Sequence, residues 1–424
     1  MKVQSITNYQ FNLKNYNKSN LNENPEQKLE NNIISIYNKG INPIVFRSLA
    51  NVTTSFSKEI AEQSEVIRNL LNKFFANPNK ITNIPINFTE KMLNKMTAPF
   101  DVHIVASGSS KNAGEMAKKF IERIIGSPVN IHSASEFMTT APKINHQDLM
   151  IFVSQSGNTA DTFEALNYAK KNNITSIALT NNENSKIAKG ADFSVNIGVG
   201  EENAVAATKT VTGTIVNLWG IALRVAELIN PKSFNKTDFV RELNRLPDLI
   251  EKMINDKKAV EAIAEKHANV ENIYILAKEP NLGAANEGAL KLTETTQKRV
   301  ISGSSSEFMH GLFTSMKEND LYVQIATGHN TDKTALMSKE NFNEIVNKRN
   351  LTKTVMIKTE GMKDEANAGD YITVPNTLSD FTPLLNTIRL QQLTEAFTTK
   401  LKINPDNGGG VLTKFRDNLT MGKK

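Results

Sequence analysis

Short apolar segments alternate with segments of helical length along most of this chain, and the alternation occurs twice. The first series of predicted strands lies at 102–107, 128–133, 149–154, 174–180 and 192–198, and the second at 272–277, 320–326, 353–358 and 371–375. Strands that alternate with helices favour a parallel sheet with helices on both faces. The sequence therefore predicts an α/β fold with two tandem units, each a mostly parallel sheet flanked by helices.

Composition shifts place the boundaries of these units. Residues 1–48 are rich in Asn and Lys with little periodicity, which predicts a flexible tail. Residues 49–94 read as a helical lead-in, because apolar residues recur at helical spacing from Phe56. The two units are predicted at 95–235 and 255–400, joined by charged helical residues, with a C-terminal tail at 401–424. A long buried helix is predicted at 208–229 and another helix at 281–299.

The overall composition excludes several classes of protein. Hydrophobic residues make up 39% and charged residues 22%, which is ordinary for a globular enzyme. The chain has no cysteine, so it has no disulfide, no thiolate metal site and no cysteine nucleophile. The net charge of +6 is spread along the chain, which suits an anionic small substrate and does not indicate a nucleic-acid partner. We expect neither a metal ion nor a cofactor.

No segment reads as a membrane span or a leader. The most apolar stretch, Thr212–Ile229, is interrupted by Asn217, Arg224 and Glu227. The first residues lack the apolar centre of a secretory signal. The expected location is the cytoplasm, with no membrane partner.

Two predicted strands end in hydroxyl-rich turns that open helices. The first turn is Ser107-Gly108-Ser109-Ser110, and the second runs from Ser154 to Thr159 as SQSGNT. A helix N-terminus presents free N–H groups and partial positive charge, and hydroxyls add donors around a glycine that lets an anion approach. Either turn alone could be an ordinary helix cap. Two of them at one sheet edge predict a phosphate site, and the absence of GxxxxGK[ST] argues against a nucleoside triphosphate.

The helix at 281–299 carries a second candidate group. Glu287, Lys291 and Glu294 are spaced i, i+4 and i+7 and therefore share one face. That face could be solvated, or it could hold a carboxylate that transfers a proton beside an ammonium group. His310 follows in SSSEFMHG and could be structural or an acid/base, and Lys414 in the tail could be a surface lysine or an imine-forming amine.

These strings together resemble the sugar isomerase (SIS) domain family. SQSGNTADT, ASGSS, ASEF and AVAATK are similar to the family's phosphate-binding segments, and EGALKLTET with SSEFMHG resembles its EGALKLKE and GELKHGP. The closer resemblance, over about residues 50–420, is to the isomerase half of the glucosamine-6-phosphate synthases.

The resemblance implies a role for each matched position. Ser110, Ser154, Gln155, Ser156 and Thr159 would bind the phosphate of a hexose 6-phosphate, with Val205 and Ala207 beside the sugar. The catalytic positions would be Glu294 for proton transfer, His310 for ring opening, Glu287 and Lys291 for support, and Lys414 for a Schiff base. In the family the histidine comes from the neighbouring subunit, which implies a homodimer with shared active sites.

Two departures from the family leave the reaction open. The chain has no glutaminase domain with its terminal cysteine, and Ala207 stands where the family usually has serine. The resemblance implies an enzyme that interconverts glucosamine 6-phosphate and fructose 6-phosphate, as a deaminase or an ammonia-dependent synthase. The alternatives are a fructosamine-6-phosphate deglycase and a non-catalytic protein that binds sugar phosphates.

Overall fold

Two parallel five-stranded sheets organise the part of the chain that the structure describes. The computed structural model describes residues 54–76, 83–96, 99–140, 142–229, 237–329 and 331–410. The predicted tail at 1–48 and the predicted Lys414 lie outside the described residues.

The first sheet has the strand order β2-β1-β3-β4-β5, with every neighbouring pair parallel. Its strands are β1 (Val102–Ala106), β2 (Val129–Ser133), β3 (Leu149–Val153), β4 (Thr175–Thr180) and β5 (Phe193–Asn196). Ile104 and Ile151 face one apolar core, whereas Val105 and Phe152 face the other. Burial on both faces explains why the central strands are mostly apolar.

The second sheet has the order β10-β9-β8-β6-β7, again parallel throughout. Its strands are β6 (Asn272–Ala277), β7 (Arg299–Ser304), β8 (Leu321–Ala326), β9 (Lys353–Thr359) and β10 (Asp370–Val374). Read from the other edge, this order matches that of the first sheet strand for strand. The α/β prediction of two tandem parallel units is confirmed.

Helices cover both sheets. In and before the first unit they are α1 (Ser55–Ala61), α2 (Gln63–Phe74), α3 (Glu90–Lys95), α4 (Gly108–Ile125), α5 (Ala134–Thr140), α6 (Ala160–Lys171), α7 (Lys186–Gly190) and α8 (Lys209–Ile229). The later ones are α9 (Thr237–Asn255), α10 (Lys258–His267), α11 (Leu282–Thr296), α12 (Ser305–Phe308), α13 (Lys333–Arg349) and α14 (Thr382–Leu401). Short 3₁₀ turns lie at Leu312–Ser315, Ser379–Phe381 and Pro405–Gly410.

The structure corrects the predicted helix at 281–299. The helix ends at Thr296 because Gln297 takes a left-handed conformation with φ of 56° and caps it. The chain then turns into strand β7, which the sequence did not predict. Strand β7 is half-buried and begins with the exposed Arg299, so it lacks the continuous apolar run that marks the central strands.

Helix α8 is the one described helix that is long and apolar enough to cross a membrane, and 83% of its apolar window is buried inside the protein. It packs against α4 and α2. One continuous apolar core contains α8 together with inward residues of both sheets, such as Ile104 and Ile275. The sequence of α8 is therefore apolar because the helix lies in that core.

A buried histidine on strand β1, His103, stacks on a half-buried histidine on strand β2, His132. His103 Nδ1 lies 2.9 Å from His132 Nε2, and the ring centroids are 5.2 Å apart. The second ring nitrogen of His103 lies 3.5 Å from a carboxylate oxygen of Asp148. Burial lowers the pKa of His103 despite that carboxylate, and burial together with His103 lowers the pKa of His132 to about 4.

We expect this pair to weaken the fold in acid. Histidines with a depressed pKa stabilise the fold above their unfolded pKa of about 6.5, and the contribution is lost as the pH falls toward 4. Urea unfolding at pH 7.5 and pH 4.5 should therefore show a smaller decline for His132→Gln than for the wild type, by roughly 1–2 kcal/mol. The exposed His146 supplies a control, because His146→Gln should follow the wild type. Parallel declines in all three proteins would contradict the prediction.

Candidate active site

The turn after β3 is held by its own hydroxyl groups. Ser154 Oγ lies 2.9 Å from Thr159 Oγ1 and accepts a hydrogen bond from the Gly157 amide at 3.1 Å. Ser156 Oγ accepts from the Asn158 amide at 3.3 Å. Ser154 is only 4% exposed. The predicted hydroxyls therefore form hydrogen bonds within the turn and stabilise it.

A cleft lies at the carboxyl edge of the first sheet. Of the five predicted phosphate ligands, Ser110 and Gln155 line it, whereas Ser154, Ser156 and Thr159 are not among its lining residues. The complete lining is Ser107, Ser109, Ser110, Gln155, Glu202, Ala204, Val205, Ala207, Thr210, Val211 and Thr214. The two turns predicted to form one phosphate site thus open onto a single cleft, on its hydroxyl-rich side.

Gly157 is the residue that allows the tight turn. Its φ is +65°, and a Cβ atom there would lie 2.1 Å from Ser185 Oγ and 2.6 Å from Thr180 Oγ1. A side chain would therefore combine an unfavourable backbone conformation with a clash against β4 and the start of α7.

We expect Gly157→Ala to reduce the free energy of unfolding by about 2–4 kcal/mol, since overpacking adds to the backbone cost. Gly126 is a matched control because its φ is +80° and a Cβ atom at that position would meet no atom within 4 Å. Gly126→Ala should cost only about 1 kcal/mol. Urea denaturation of both variants checks this, and equal losses would show that packing around Gly157 contributes nothing.

The opposite wall of the cleft is the loop that leads into α8. It includes Val205 and Ala207, which line the cleft as predicted for residues beside the sugar. Glu202 Oε1 accepts from the amides of Thr208 at 2.9 Å and Thr210 at 3.0 Å. Because Ala207 has no hydroxyl, this part of the wall is apolar.

Helix α1 supports that wall from behind. Glu59, which is 2% exposed, accepts from the Asn203 amide at 2.5 Å and from the Ala204 amide at 3.3 Å. Burial is the largest influence on this carboxyl group and raises the pKa of Glu59. Sequence reasoning identified neither Glu59 nor Glu202 as part of the site, although Glu202 lies only two residues before the AVAATK string.

The second candidate group is buried rather than solvated. Glu287 and Lys291 side chains are 0% and 1% exposed, and Glu294 is 21% exposed. Lys291 Nζ lies 2.7 Å from Glu294 Oε2 and 3.4 Å from Glu287 Oε1. The solvated alternative for this face is therefore wrong, and an ammonium group lies between two carboxylates.

Electrostatics connect this helix with the cleft wall. Burial lowers the pKa of Lys291, but the charges of Glu287 and Glu294 and the hydrogen bond to Glu294 outweigh it, so the net shift is upward. The charge of Glu202, which lines the cleft, raises it further. Lys291 therefore stays an ammonium ion, and Glu294 is the member of the group that remains partly open to solvent.

The two other predicted catalytic residues lie apart from this group or outside the described residues. His310 is exposed, between α12 and the 3₁₀ turn that contains the 63% exposed Leu312. Within the described residues no hydrogen bond or ion pair joins it to Glu294. Lys414 follows the 3₁₀ turn Pro405–Gly410, which packs against α11.

A carboxylate holds this 3₁₀ turn against α1. Asp406 Oδ2 accepts from the Ser55 amide at 2.7 Å, and Oδ1 accepts from the Phe56 amide at 2.9 Å. These two amides are at the start of α1, where helical N–H groups lack partners within the helix. Asp406 therefore fastens the 3₁₀ turn Pro405–Gly410 to α1. Among the described residues, no group of three or more His, Asp or Glu side chains is placed to hold a metal ion.

Comparison with known proteins is consistent with this architecture. The family model of the SIS domain matches residues 100–224, which include β1 to β5, the cleft and most of α8. The chain contains an SIS domain. The family prediction drawn from the sequence motifs is therefore confirmed.

Relatives extend the similarity to the second unit. A glutamine–fructose-6-phosphate aminotransferase (isomerizing) from Caldanaerobacter subterraneus subsp. tengcongensis is 32% identical over 337 residues, which are 79% of this SIS protein and 54% of the relative. The enzyme of that name from Aquifex aeolicus is 31% identical over 350 residues, 82% of this chain and 55% of the relative. The chain thus spans about half the length of these curated relatives.

A solved structure matches the same region. The C-terminal domain of glucosamine-fructose-6-phosphate aminotransferase from Francisella tularensis has a TM-score of 0.75 and 25% identity, and the match covers 83% of this SIS protein and 98% of that chain. The similarity is therefore to the isomerase half of these enzymes, as the sequence motifs indicated.

Proposed function

We propose that this SIS protein interconverts glucosamine 6-phosphate and fructose 6-phosphate, as a deaminase or an ammonia-dependent synthase. The observation that carries the proposal is the buried ammonium group of Lys291, which lies between two carboxylates. The charge of Glu202 in the cleft wall also raises the pKa of Lys291. A protein that only bound sugar phosphates would need the cleft but not this group. The similarity to aminotransferases that act on fructose 6-phosphate supports the choice of sugar.

In the deaminase direction, water is the only co-reactant that the reaction needs. The turns at Ser110 and Gln155 bind the phosphate of the open-chain amino sugar. The Glu294 carboxylate takes the proton from C2, holds it as a carboxylic acid and returns it to C1, while Lys291 favours the charged carboxylate before each turnover. A second proton passes from the amine nitrogen to O1, so the C1 aldehyde becomes an alcohol and the C2 amine becomes an imine. Water then hydrolyses the imine, which releases ammonia and fructose 6-phosphate.

Lys414 enters the proposal as an amine that exchanges with the substrate nitrogen at C2. Such an exchange forms a lysine imine and releases ammonia before water frees the ketone. The packing of Pro405–Gly410 on α11 supports this role, because four residues of extended chain span up to about 14 Å. Borohydride should then trap fructose 6-phosphate on the wild type, at Lys414, and not on Lys414→Met.

His310 would assist ring opening from a second copy of the chain. Its exposure, with Leu312 beside it, supports a site that is completed by a partner. Mixed dimers of His310→Ala and Glu294→Gln chains contain one site with both residues intact, so mixing and refolding two inactive variants should restore activity. Activity that stays absent in verified mixed dimers would argue against shared sites. The cytoplasm is the location that fits these metabolites.

The decisive experiment incubates the purified full chain with glucosamine 6-phosphate and measures fructose 6-phosphate and ammonia, and then runs the reverse reaction with ammonium. Equal amounts of both products, lost in Glu294→Gln, support the proposal. Release of a free amino acid from a fructosamine 6-phosphate, without ammonia from glucosamine 6-phosphate, would replace it with a deglycase. Binding of hexose 6-phosphates without turnover would replace it with a sensor.

A further inference from the structure

Helices α4 and α11 cross between the two units, and two amide side chains bridge them. Asn112 Nδ2 donates to Glu287 Oε2 at 2.8 Å, and Asn286 Nδ2 donates to Glu115 Oε2 at 3.0 Å. The helices can approach so closely because Gly283 has no side chain. A Cβ atom there would lie 2.8 Å from Met116 Cγ and 2.9 Å from the Asn112 carbonyl oxygen.

The two hydrogen bonds differ in the carboxylate that accepts them. Glu287 is fully buried, and its Oε1 atom has no hydrogen-bond partner, with only Lys291 Nζ near it at 3.4 Å. The amide of Asn112 therefore donates the hydrogen bond that satisfies this carboxylate. Glu115, by contrast, is partly exposed and already pairs with Lys111. A buried carboxylate is costly without donors, so the bridge from Asn112 carries the larger electrostatic weight.

The position of Asn112 links this carboxylate to the cleft. It lies near the start of α4, two residues after Ser110, which lines the cleft. The amide nitrogen of asparagine can only donate, so it favours the ionised form of its partner. Lys291 is the cation beside Glu287. Lys291 also contacts Glu294 and is affected by the charge of Glu202 in the cleft wall, and α4 carries the Lys111–Glu115 pair at the other bridge.

We propose that Asn112 is a positioning residue that keeps Glu287 ionised and oriented toward Lys291, so that the ammonium group stays in place beside Glu294. The inference rests on the proposed function for its catalytic consequence. Asn112 lies close after the turn that is proposed to bind phosphate, and its side chain bonds to the helix that is proposed to transfer the proton. It therefore connects these two parts of the proposed site. Asn112 itself touches neither the substrate nor the transferred proton in this proposal.

The test compares Asn112→Ala with Asn286→Ala, which removes the parallel bridge between the same helices. Asn112→Ala should lower kcat by roughly 10- to 100-fold with KM within about threefold, since an indirect orienting partner has effects of this order. The acidic limb of its pH–rate profile should move to higher pH. Asn286→Ala should keep the wild-type profile and kcat within about twofold. Equal losses in both variants would reduce Asn112 to a generic contact between the units, and an unchanged Asn112→Ala would overturn the proposal.

A second arm does not depend on turnover. Without its donor, the ionised Glu287 destabilises the fold, so the stability difference between wild type and Asn112→Ala should grow as the pH rises from 4 to 8. The difference for Asn286→Ala should stay nearly constant over that range. If the wild type shows no turnover, the proposed function fails and this arm alone decides on Asn112. A pH-independent difference for Asn112→Ala would overturn its role in holding the ionised carboxylate.

Discussion

Replacing Glu294 by glutamine should lower turnover of glucosamine 6-phosphate by about 10²- to 10⁴-fold, the range that a general base contributes. The amide is nearly isosteric and can still accept the hydrogen bond from Lys291, which is 2.7 Å from the carboxylate now. KM should therefore change little while kcat falls. Steady-state kinetics with detection of fructose 6-phosphate measures both.

The control for this change is a glutamate that is exposed and outside the group. Glu261 is exposed on α10, so Glu261→Gln removes one charge and should leave kcat unchanged. A Glu294→Gln enzyme with more than a tenth of wild-type kcat would remove Glu294 as the proton-transferring base, even if the reaction itself were confirmed.

Replacing Lys291 by methionine should cost about 3–5 kcal/mol of unfolding free energy, because it leaves the buried carboxylate of Glu287 without its cation. The pKa of Lys291 is raised in the fold, so its own contribution is complete below the unfolded pKa of about 10.5 and is lost only as the pH rises through the higher folded value. In the variant the loss should shrink in acid, where the carboxylates can protonate. Urea unfolding at pH 5 and pH 8 measures both effects.

An exposed lysine–glutamate pair serves as the reference for this loss of unfolding free energy. Lys348 and Glu344 are also spaced i, i+4, but their side chains are 55% and 47% exposed. Lys348→Met should cost less than about 1 kcal/mol, as surface pairs do. A second variant, Lys291→Met with Glu287→Gln, should recover part of the loss, because it removes the unpaired charge. Similar losses for Lys291→Met and Lys348→Met would contradict the buried role.

The sequence was sufficient for the central strands because strands buried on both faces carry their own signal. Segments such as 149–154 and 272–277 are apolar except for Ser154 and Asn272, and both form strands at the predicted places. Strand β7 was missed because an edge strand is half-buried and carries Arg299, Ser302 and Ser304 among its residues. Helix α13 likewise gives a weak pattern, because Leu336 and Met337 are exposed on it.

The site was predictable in its residue types but not in its connections. Spacing placed Glu287, Lys291 and Glu294 on one face, yet spacing cannot show whether a face is buried. Burial depends on the close approach of α4, which in turn depends on Gly283. The contacts of Asn112 with Glu287 and of Glu59 with the cleft wall join residues more than 140 positions apart, and no local pattern encodes them.

The cap that Asp406 gives to α1 makes the shape of the cleft depend on a distant part of the chain. Asp406 holds the first amides of α1, and the same short helix carries Glu59, which holds the amides of Asn203 and Ala204 behind the cleft. A strain applied to the turn Pro405–Gly410 would therefore be transmitted through α1 to the cleft loop at Asn203 and Ala204. A tag or fusion attached close after residue 410 would apply such a strain. The length of its linker therefore becomes a variable in any measurement of ligand affinity at the cleft.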